Sequence, residues 1–254
     1  MTIKPILKPG LNLTLKPILP QKTYEQVTDQ LYLNYISRKK GYTKSQLFNT
    51  TGDNITQWTD IQSGHNATQA TGIQQPLYNA TGINGKPSAT FDGSNDVLAT
   101  PSIPIAQDVT VFAVVKPTAP NAGAAKTIVQ LQNLNTILIS FAANKFYFNG
   151  ILPAWQTISI DNVIVGKLYI IAGTYHYNGG GSNTQTAKMY INNVLQATVT
   201  GQNVLGDISG NNSVFIGNGG AAFPGEQGAI SWYNKILSAD ELTQNYNYYL
   251  QQYS

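Results

Sequence analysis

From about residue 47 onward, the chain is a series of short β-branched and aromatic runs separated by turn residues. The run at 108–117, DVTVFAVVKP, ends at a proline, and the run at 167–178, KLYIIAGTYHYN, is followed by glycines. The segment 187–199, AKMYINNVLQATV, predicts a hairpin with Asn192 and Asn193 at its turn, because asparagine tolerates left-handed backbone conformations. Short strands with turns between them predict an all-β sandwich or barrel.

The last residues of the chain have a different pattern. Ser238 and Glu241 have capping-box spacing, which marks the start of a helix. Leu242, Tyr246 and Tyr249 follow at helical spacing, together with Tyr253, so we expect a short terminal helix that packs its tyrosines on the sandwich.

The N-terminal region differs again. Residues 1–22 carry the tetrapeptide KPIL twice, several prolines and no acid. Proline removes backbone donors and fixes φ, so we expect an extended arm. Residues 23–46 predict a short helical linker, since Val27, Leu31 and Tyr35 recur at helical spacing. The candidate partner-binding residues of the arm are those of the two repeats: Lys4, Pro5, Ile6, Leu7, Lys16, Pro17, Ile18 and Leu19.

Composition excludes several classes of function. Charged residues make up 11% of the chain and the net charge is +3, against about 25% charged residues in typical domains. Such a weak and dispersed charge argues against nucleic acid as a partner. The chain has no cysteine, so disulfides and thiolate metal sites are excluded. The apolar runs are too short to span a membrane, and we expect no cofactor.

Four stretches resemble the laminin-G-like, concanavalin A-like jelly-roll family. These are WTDIQSGHNATQATGIQQPLYNATGINGKPSATFDGSNDVL at 58–98, KMYINNVL at 188–195, FIGNGG at 215–220 and ISWYNKILSADELTQNYNYYL at 230–250. The resemblance covers residues 47–254 and departs from the family at Asn193, where glycine is usual. It implies two antiparallel sheets packed face to face, as the strand pattern also predicts.

Within the first stretch, Phe91 is predicted to be a core residue and Gly93 a turn residue. Relatives in this family bind calcium near such turns, and calcium takes six to eight oxygen ligands. Asp92, Asn95 and Asp96 supply only a few, so we interpret the segment as a turn and expect no metal.

The family also includes glycoside hydrolases, which need two carboxylates flanking the scissile bond. The three glutamates are Glu25, outside the domain, Glu241, at a helix cap, and Glu226, which we expect in a loop before the last strand. His65 and His176 stand far apart, and we expect no carboxylate or serine to be placed beside either of them. We therefore predict that the protein is not an enzyme.

Two functions stay open. The first is a virion structural protein of a phage, a capsid decoration or head or tail fibre component, which docks on other virion proteins through residues 1–22 and which we expect to be a homo-oligomer. The alternative is a carbohydrate-binding adhesion module that recognises surface glycans. Its candidate residues are Trp155, in the segment GILPAWQT, and Tyr147 on the strand before it.

Overall fold

The computed structural model describes residues 22–132, 138–149, 158–160, 163–177, 186–200, 207–218 and 221–254. Its helical elements are α1 (Lys44–Leu47), a 3₁₀ turn (Gly72–Gln74) and α2 (Ala239–Tyr253). The first ten strands are β1 (Leu31–Ile36), β2 (Phe48–Thr51), β3 (Asn54–Trp58), β4 (Ala67–Thr68), β5 (Leu77–Ile83), β6 (Lys86–Asp92), β7 (Val97–Ala99), β8 (Ile103–Ile105), β9 (Val109–Pro117) and β10 (Lys126–Leu131). The others are β11 (Leu138–Ala142), β12 (Lys145–Asn149), β13 (Ile158–Ile160), β14 (Tyr169–His176), β15 (Thr186–Ile191), β16 (Val194–Thr200), β17 (Gly210–Asn212), β18 (Val214–Gly217) and β19 (Pro224–Tyr233).

The strands form two antiparallel layers. The strand order in the first layer is β19, β9, β14, β15 and β16. On the other side of β19, β6 pairs with one part of the strand and β1 with another. The second layer runs from β2 through β3, β4, β7, β18, β10, β11 and β12 to β13. Strand β5 pairs with β6 and touches β3, so it connects the layers. The predicted all-β sandwich is confirmed.

The core lies between the two layers and is built from alternate residues of their strands. Phe146 and Phe148 of β12 are buried, and Phe146 contacts Tyr169 of β14 with ring centroids 5.1 Å apart. Gly173 of β14 is needed for this packing, because a Cβ there would lie 2.3 Å from the ring of Phe148. Phe91 is also buried, as predicted.

The helical linker predicted at 23–46 is wrong. Residues Leu31–Ile36 form strand β1, which pairs with β19 and therefore belongs to the sandwich. Leu31 and Tyr35 are buried, but Leu33 between them is buried as well. Burial of every second residue is the periodicity of a strand. The only helical residues that the structure describes between 23 and 46 are the first of α1, Lys44–Leu47.

Two local predictions are confirmed. Asn192 and Asn193 have φ of 48° and 65° and join β15 to β16 in a tight hairpin. Helix α2 starts at a capping box in which Ser238 Oγ accepts from the Glu241 backbone and Glu241 reaches back to the Ser238 N–H. Its buried face packs on the outer side of the first layer, where Tyr249 contacts Phe112 of β9.

The segment before β1 is held against α2. The backbone N–H of Val27 donates to Asn245 Oδ1 at 2.8 Å, and that of Tyr24 donates to Gln251 Oε1 at 3.0 Å. The start of the described chain thus lies beside the C-terminal end of α2. The arm residues Lys4–Leu7 and Lys16–Leu19 lie outside the described residues. None of the described helices combines the length and the hydrophobicity that a membrane crossing requires.

Candidate functional site

A groove of about 750 Å³ lies on the outer face of the first layer, beside the N-terminal end of α2. We call it the α2 groove. Its floor is formed by outward-facing residues of two strands and its wall by the β19–α2 connection. The lining residues are Asp108, Thr174, His176, Thr186, Lys188, Tyr190, Asn234, Lys235, Ile236, Leu237, Ser238, Ala239 and Leu242.

The alternation of β15 places the floor residues. Ala187, Met189 and Ile191 are buried in the core, so Thr186, Lys188 and Tyr190 face outward. The register with β14 sets His176 beside Thr186 and Thr174 beside Lys188. The floor therefore combines hydroxyl, imidazole and ammonium groups with a half-buried tyrosine, whose pKa is raised by burial.

Thr110 of β9 holds the wall segment against the first layer by two hydrogen bonds. Its Oγ1 donates to the Lys235 carbonyl at 2.8 Å and accepts from the Leu237 N–H at 3.0 Å. Lys235 Nζ lies 2.6 Å from Asp29 Oδ2 and 2.7 Å from Glu241 Oε1. Hydrogen bonds to these two carboxylates raise the pKa of Lys235, and the bond from Lys235 lowers the pKa of Glu241.

His176 and Asp108 form a pair at one end of the groove, which the sequence did not reveal. His176 Nδ1 lies 2.8 Å from Asp108 Oδ2, and Asp108 Oδ1 accepts from the Tyr177 N–H at 2.9 Å. The carboxylate thereby orients the imidazole, whose Nε2 has no partner among the described residues. The other histidine, His65, lies in a separate loop, where its Nδ1 is 2.6 Å from Ser63 Oγ. The expectation that no carboxylate or serine lies beside either histidine is therefore wrong.

The residues predicted to bind glycans lie elsewhere. Tyr147 is half-buried on β12 and pairs with Ser140. Because its neighbours Phe146 and Phe148 face the core, Tyr147 faces outward from the second layer, on the opposite side of the sandwich from the α2 groove. Trp155 lies outside the described residues, so its pairing with Tyr147 stays a prediction.

The Asp92–Asp96 segment forms a turn. Asp92 Oδ1 accepts from the backbone N–H groups of Ser94 and Asn95, at 2.7 and 3.2 Å, and Gly93 has a φ of 81°. Lys126 Nζ donates to the Gly93 carbonyl at 2.8 Å, which places a cation at the turn. Across the described parts of the chain, no group of three or more histidines, aspartates or glutamates is placed to hold a metal ion.

Asp96 makes the stability of this turn depend on pH. It is 5% exposed, and burial raises its pKa to about 6, although the Asp92 N–H donates to it. The folded state then binds a proton more tightly than the unfolded state, so the stabilisation is complete below about pH 4 and is lost as the pH rises through 6.

We therefore expect Asp96→Asn to raise the free energy of unfolding at pH 7.5 by roughly 2–3 kcal/mol relative to the native protein, and to change it little at pH 4. Urea unfolding at both pH values measures this. A difference between the two proteins that is the same at pH 4 and pH 7.5 would contradict the proposed ionisation. Glu241 has a lowered pKa and therefore an opposite effect on the pH dependence of stability. This effect is the same in both proteins, so it cancels when they are compared.

The loop predicted for Glu226 is wrong. Glu226 lies within β19 and is buried, and it accepts hydrogen bonds from Asn79 Nδ2 at 3.0 Å, Thr90 Oγ1 at 2.9 Å and Ser88 Oγ. Its partners come from β5 and β6, which are more than 130 residues earlier in the chain. We assign it a structural role, since its oxygens are occupied by protein donors.

Sequence reasoning missed the α2 groove for an identifiable reason. The alternation in AKMYI does indicate that Lys188 and Tyr190 face away from the core. Nothing local indicates that the segment 234–239, which forms the wall, lies above them. His176 and Asp108 are likewise 68 residues apart in the sequence.

Comparison with known proteins gives a family. Residues 92–243 match a family model described as the Concanavalin A-like lectin/glucanases superfamily. A search of the curated proteins gave no match. Among solved structures, domain 4 of AbnA, a GH43 extracellular arabinanase from Geobacillus stearothermophilus in complex with arabinotriose, is similar with a TM-score of 0.56 and 18% identity. That match covers 85% of this chain and 98% of that chain.

Two further solved structures are similar. The sialidase of Trypanosoma rangeli has a TM-score of 0.59 and 13% identity, over 85% of this chain and 32% of that chain. The binding domain of Paraclostridial Mosquitocidal Protein 1 has a TM-score of 0.57 and 14% identity, over 80% of this chain and 52% of that chain. The chain thus spans about a third of the length of the sialidase, and these likenesses show the fold alone. Because the family model matches more than half of the sequence, the protein belongs to the concanavalin A-like lectin/glucanases superfamily.

Proposed function

We propose that this protein is a non-enzymatic carbohydrate-binding module and that the α2 groove is its sugar site. The observation that carries the proposal is the lining of the groove. A cavity of about 750 Å³ presents the Lys188 ammonium, the free edge of His176 and the flank of Tyr190 on a rigid sheet. Sugar hydroxyls are bound by such groups, a donor at Lys188 and an acceptor at His176 Nε2, and the sugar ring by an apolar surface.

The solved structures lend support of a general kind. The arabinanase domain that resembles nearly the whole of this sandwich was solved in complex with arabinotriose. A second similar structure is the binding domain of a mosquitocidal protein. The first is a complex of one domain of an enzyme with an oligosaccharide, and the second is a domain named for binding.

The groove itself argues against hydrolysis. Asp108 is its one lining carboxylate among the residues the structure describes, and both of its oxygens already have donors. Hydrolysis of a glycosidic bond uses a pair of carboxylates on either side of that bond. Glu226, buried beneath the β5 segment, is not among the lining residues.

The two histidines offer a direct test. We expect a glycan array to identify a ligand, and titration with it to shift the imidazole NMR signals of His176 while those of His65 stay unchanged. Replacing His176 with alanine should weaken binding about tenfold, because a neutral hydrogen bond and a contact are lost. His65→Ala is the matched control and should bind as the native protein does.

The same titration distinguishes the two faces of the sandwich. Binding that is lost in Trp155→Ala and retained in His176→Ala would place the site at Trp155 and overturn the assignment of the α2 groove. Absence of binding on the array at high protein concentration would overturn the carbohydrate function.

We further propose a virion role in which residues 1–22 dock the sandwich on other virion proteins and several copies assemble. One observation favours this combination. The described chain starts beside the C-terminal end of α2, whereas the groove lies at its N-terminal end, about 22 Å away along a helix of 15 residues. If the arm binds a particle, the groove at the other end of α2 therefore stays accessible to a glycan.

Deletion of residues 1–21 is expected to leave the sandwich folded, because Tyr24 and the residues after it keep their hydrogen bonds to α2. The thermal midpoint should change by less than about 2 °C. Incorporation into the host particle, measured by co-sedimentation, should be lost. A truncated protein that co-sediments as the full chain does would remove the docking role of the arm.

A further inference from the structure

The carboxylates around the α2 groove are already bound to protein donors. Asp108 is engaged by His176 and by the backbone N–H of Tyr177. Asp29 and Glu241 both bind Lys235 at the wall. Lys235 is therefore neutralised by two carboxylates, and its ammonium is not available to a ligand as an unpaired charge.

Lys188 is different. It lies in the middle of the groove floor, and its cross-strand neighbours are the neutral residues Thr174 and Thr198. No carboxylate lies within ion-pair distance of Lys188 among the residues that the structure describes. Lys188 is half-buried, so its charge is less well screened than that of a fully exposed lysine.

A half-buried ammonium that has no counter-ion within the described part of the chain favours an anionic ligand group. His176, whose register partner Thr186 is two residues from Lys188 on the same face of β15, donates its Nδ1–H to Asp108, so its Nε2 offers an acceptor for a sugar hydroxyl nearby. The oxygens of an anionic group accept charge-assisted hydrogen bonds from an ammonium, and such bonds are stronger than neutral ones. The cavity has the volume of sites that hold small ligands of one or a few rings.

We propose that the α2 groove selects sugars that carry an anionic substituent, a carboxylate or a sulfate ester, and that Lys188 Nζ is its counter-ion. This inference rests on the proposed carbohydrate function of the same groove. Lys188 is then the residue that determines specificity, while Tyr190 and the threonines contact the uncharged part of the ring.

Pairs of sugars that have the same ring but differ in charge distinguish recognition of the anionic group from recognition of the ring. Calorimetric titration of the full-length protein would compare trigalacturonic acid with its methyl ester, and galactose 6-sulfate with galactose. We expect the anionic member of at least one pair to bind about tenfold more tightly than its neutral partner, and this preference to shrink as salt is added. The pair that shows the preference identifies the substituent.

Variants then assign the preference to one residue. Lys188→Gln should reduce the ratio between anionic and neutral probes to within about twofold, because it removes the charge and keeps a donor. Lys188→Arg should retain the preference. Lys40→Gln, at an exposed lysine outside the groove, is the control with the same change of charge, and thermal midpoints check that each variant is folded.

Two results would overturn the inference in distinguishable ways. If neutral probes bind as tightly as anionic ones, or if Lys188→Gln keeps the preference, the role of Lys188 is wrong and the groove is still a sugar site. If neither neutral nor anionic probes bind, and the glycan array is silent as well, the proposed function is wrong together with the inference.

Discussion

Replacing Glu226 with alanine is expected to lower the free energy of unfolding by about 3–5 kcal/mol, because a buried polar network loses its centre. Asn79, Ser88 and Thr90 all donate to this carboxylate. Its removal leaves the buried donor Ser88 and the half-buried donors Asn79 and Thr90 without this acceptor beneath the β5 segment. Gly82 lies directly above the carboxylate, since a Cβ there would fall 2.5 Å from Oε2, so water has little space to replace it.

Urea unfolding monitored by tryptophan fluorescence measures the effect. Glu25→Ala is the matched control, because Glu25 is exposed, and its effect should be within about 0.5 kcal/mol. Glu226→Gln should be intermediate, since the hydroxyls of Ser88 and Thr90 can rotate to accept from the new amide. A loss below 1 kcal/mol for Glu226→Ala would show that the network does not stabilise the fold.

Replacing Asp60 with alanine is expected to cost about 2–4 kcal/mol. This buried carboxylate accepts from the backbone N–H groups of Asn34, Gln62, Ser63 and His65 and from Ser63 Oγ, at 2.5–3.2 Å. It forms the turn after β3 and joins that turn to β1. Loss of the carboxylate unpairs backbone donors at an edge where the two layers meet.

The isosteric variant Asp60→Asn tests the role of charge in the same unfolding experiment. It should cost about half as much as Asp60→Ala, because its NH₂ group faces backbone donors that need an acceptor. Asp53→Ala, at an exposed turn position, is the control and should be close to neutral. An Asp60→Asn protein as stable as the native one would mean that the side chain acts by shape alone.

Local chemistry determined much of the fold from sequence. The hairpin at Asn192 and Asn193, the capping box of Ser238 and Glu241 and the turn at Asp92 depend on neighbours within a few residues, so their patterns can be recognised without a partner. The strands between them follow from the period of their apolar residues. The function of the arm and the pairing of Trp155 with Tyr147 stay predictions.

Only the tertiary structure decided the rest. Leu31 and Tyr35 fit a helix as well as a strand, and it is pairing with β19, some two hundred residues later, that makes the segment β1. The local sequence predicts a loop position for Glu226, but in the folded protein β5 and β6 place three donors against its carboxylate. The α2 groove exists because the connection after β19 lies across two strands that come earlier in the chain. Periodicity specifies which residues are buried, but which distant residues meet is set by strand pairing and sheet packing, for which a local sequence pattern carries no signal.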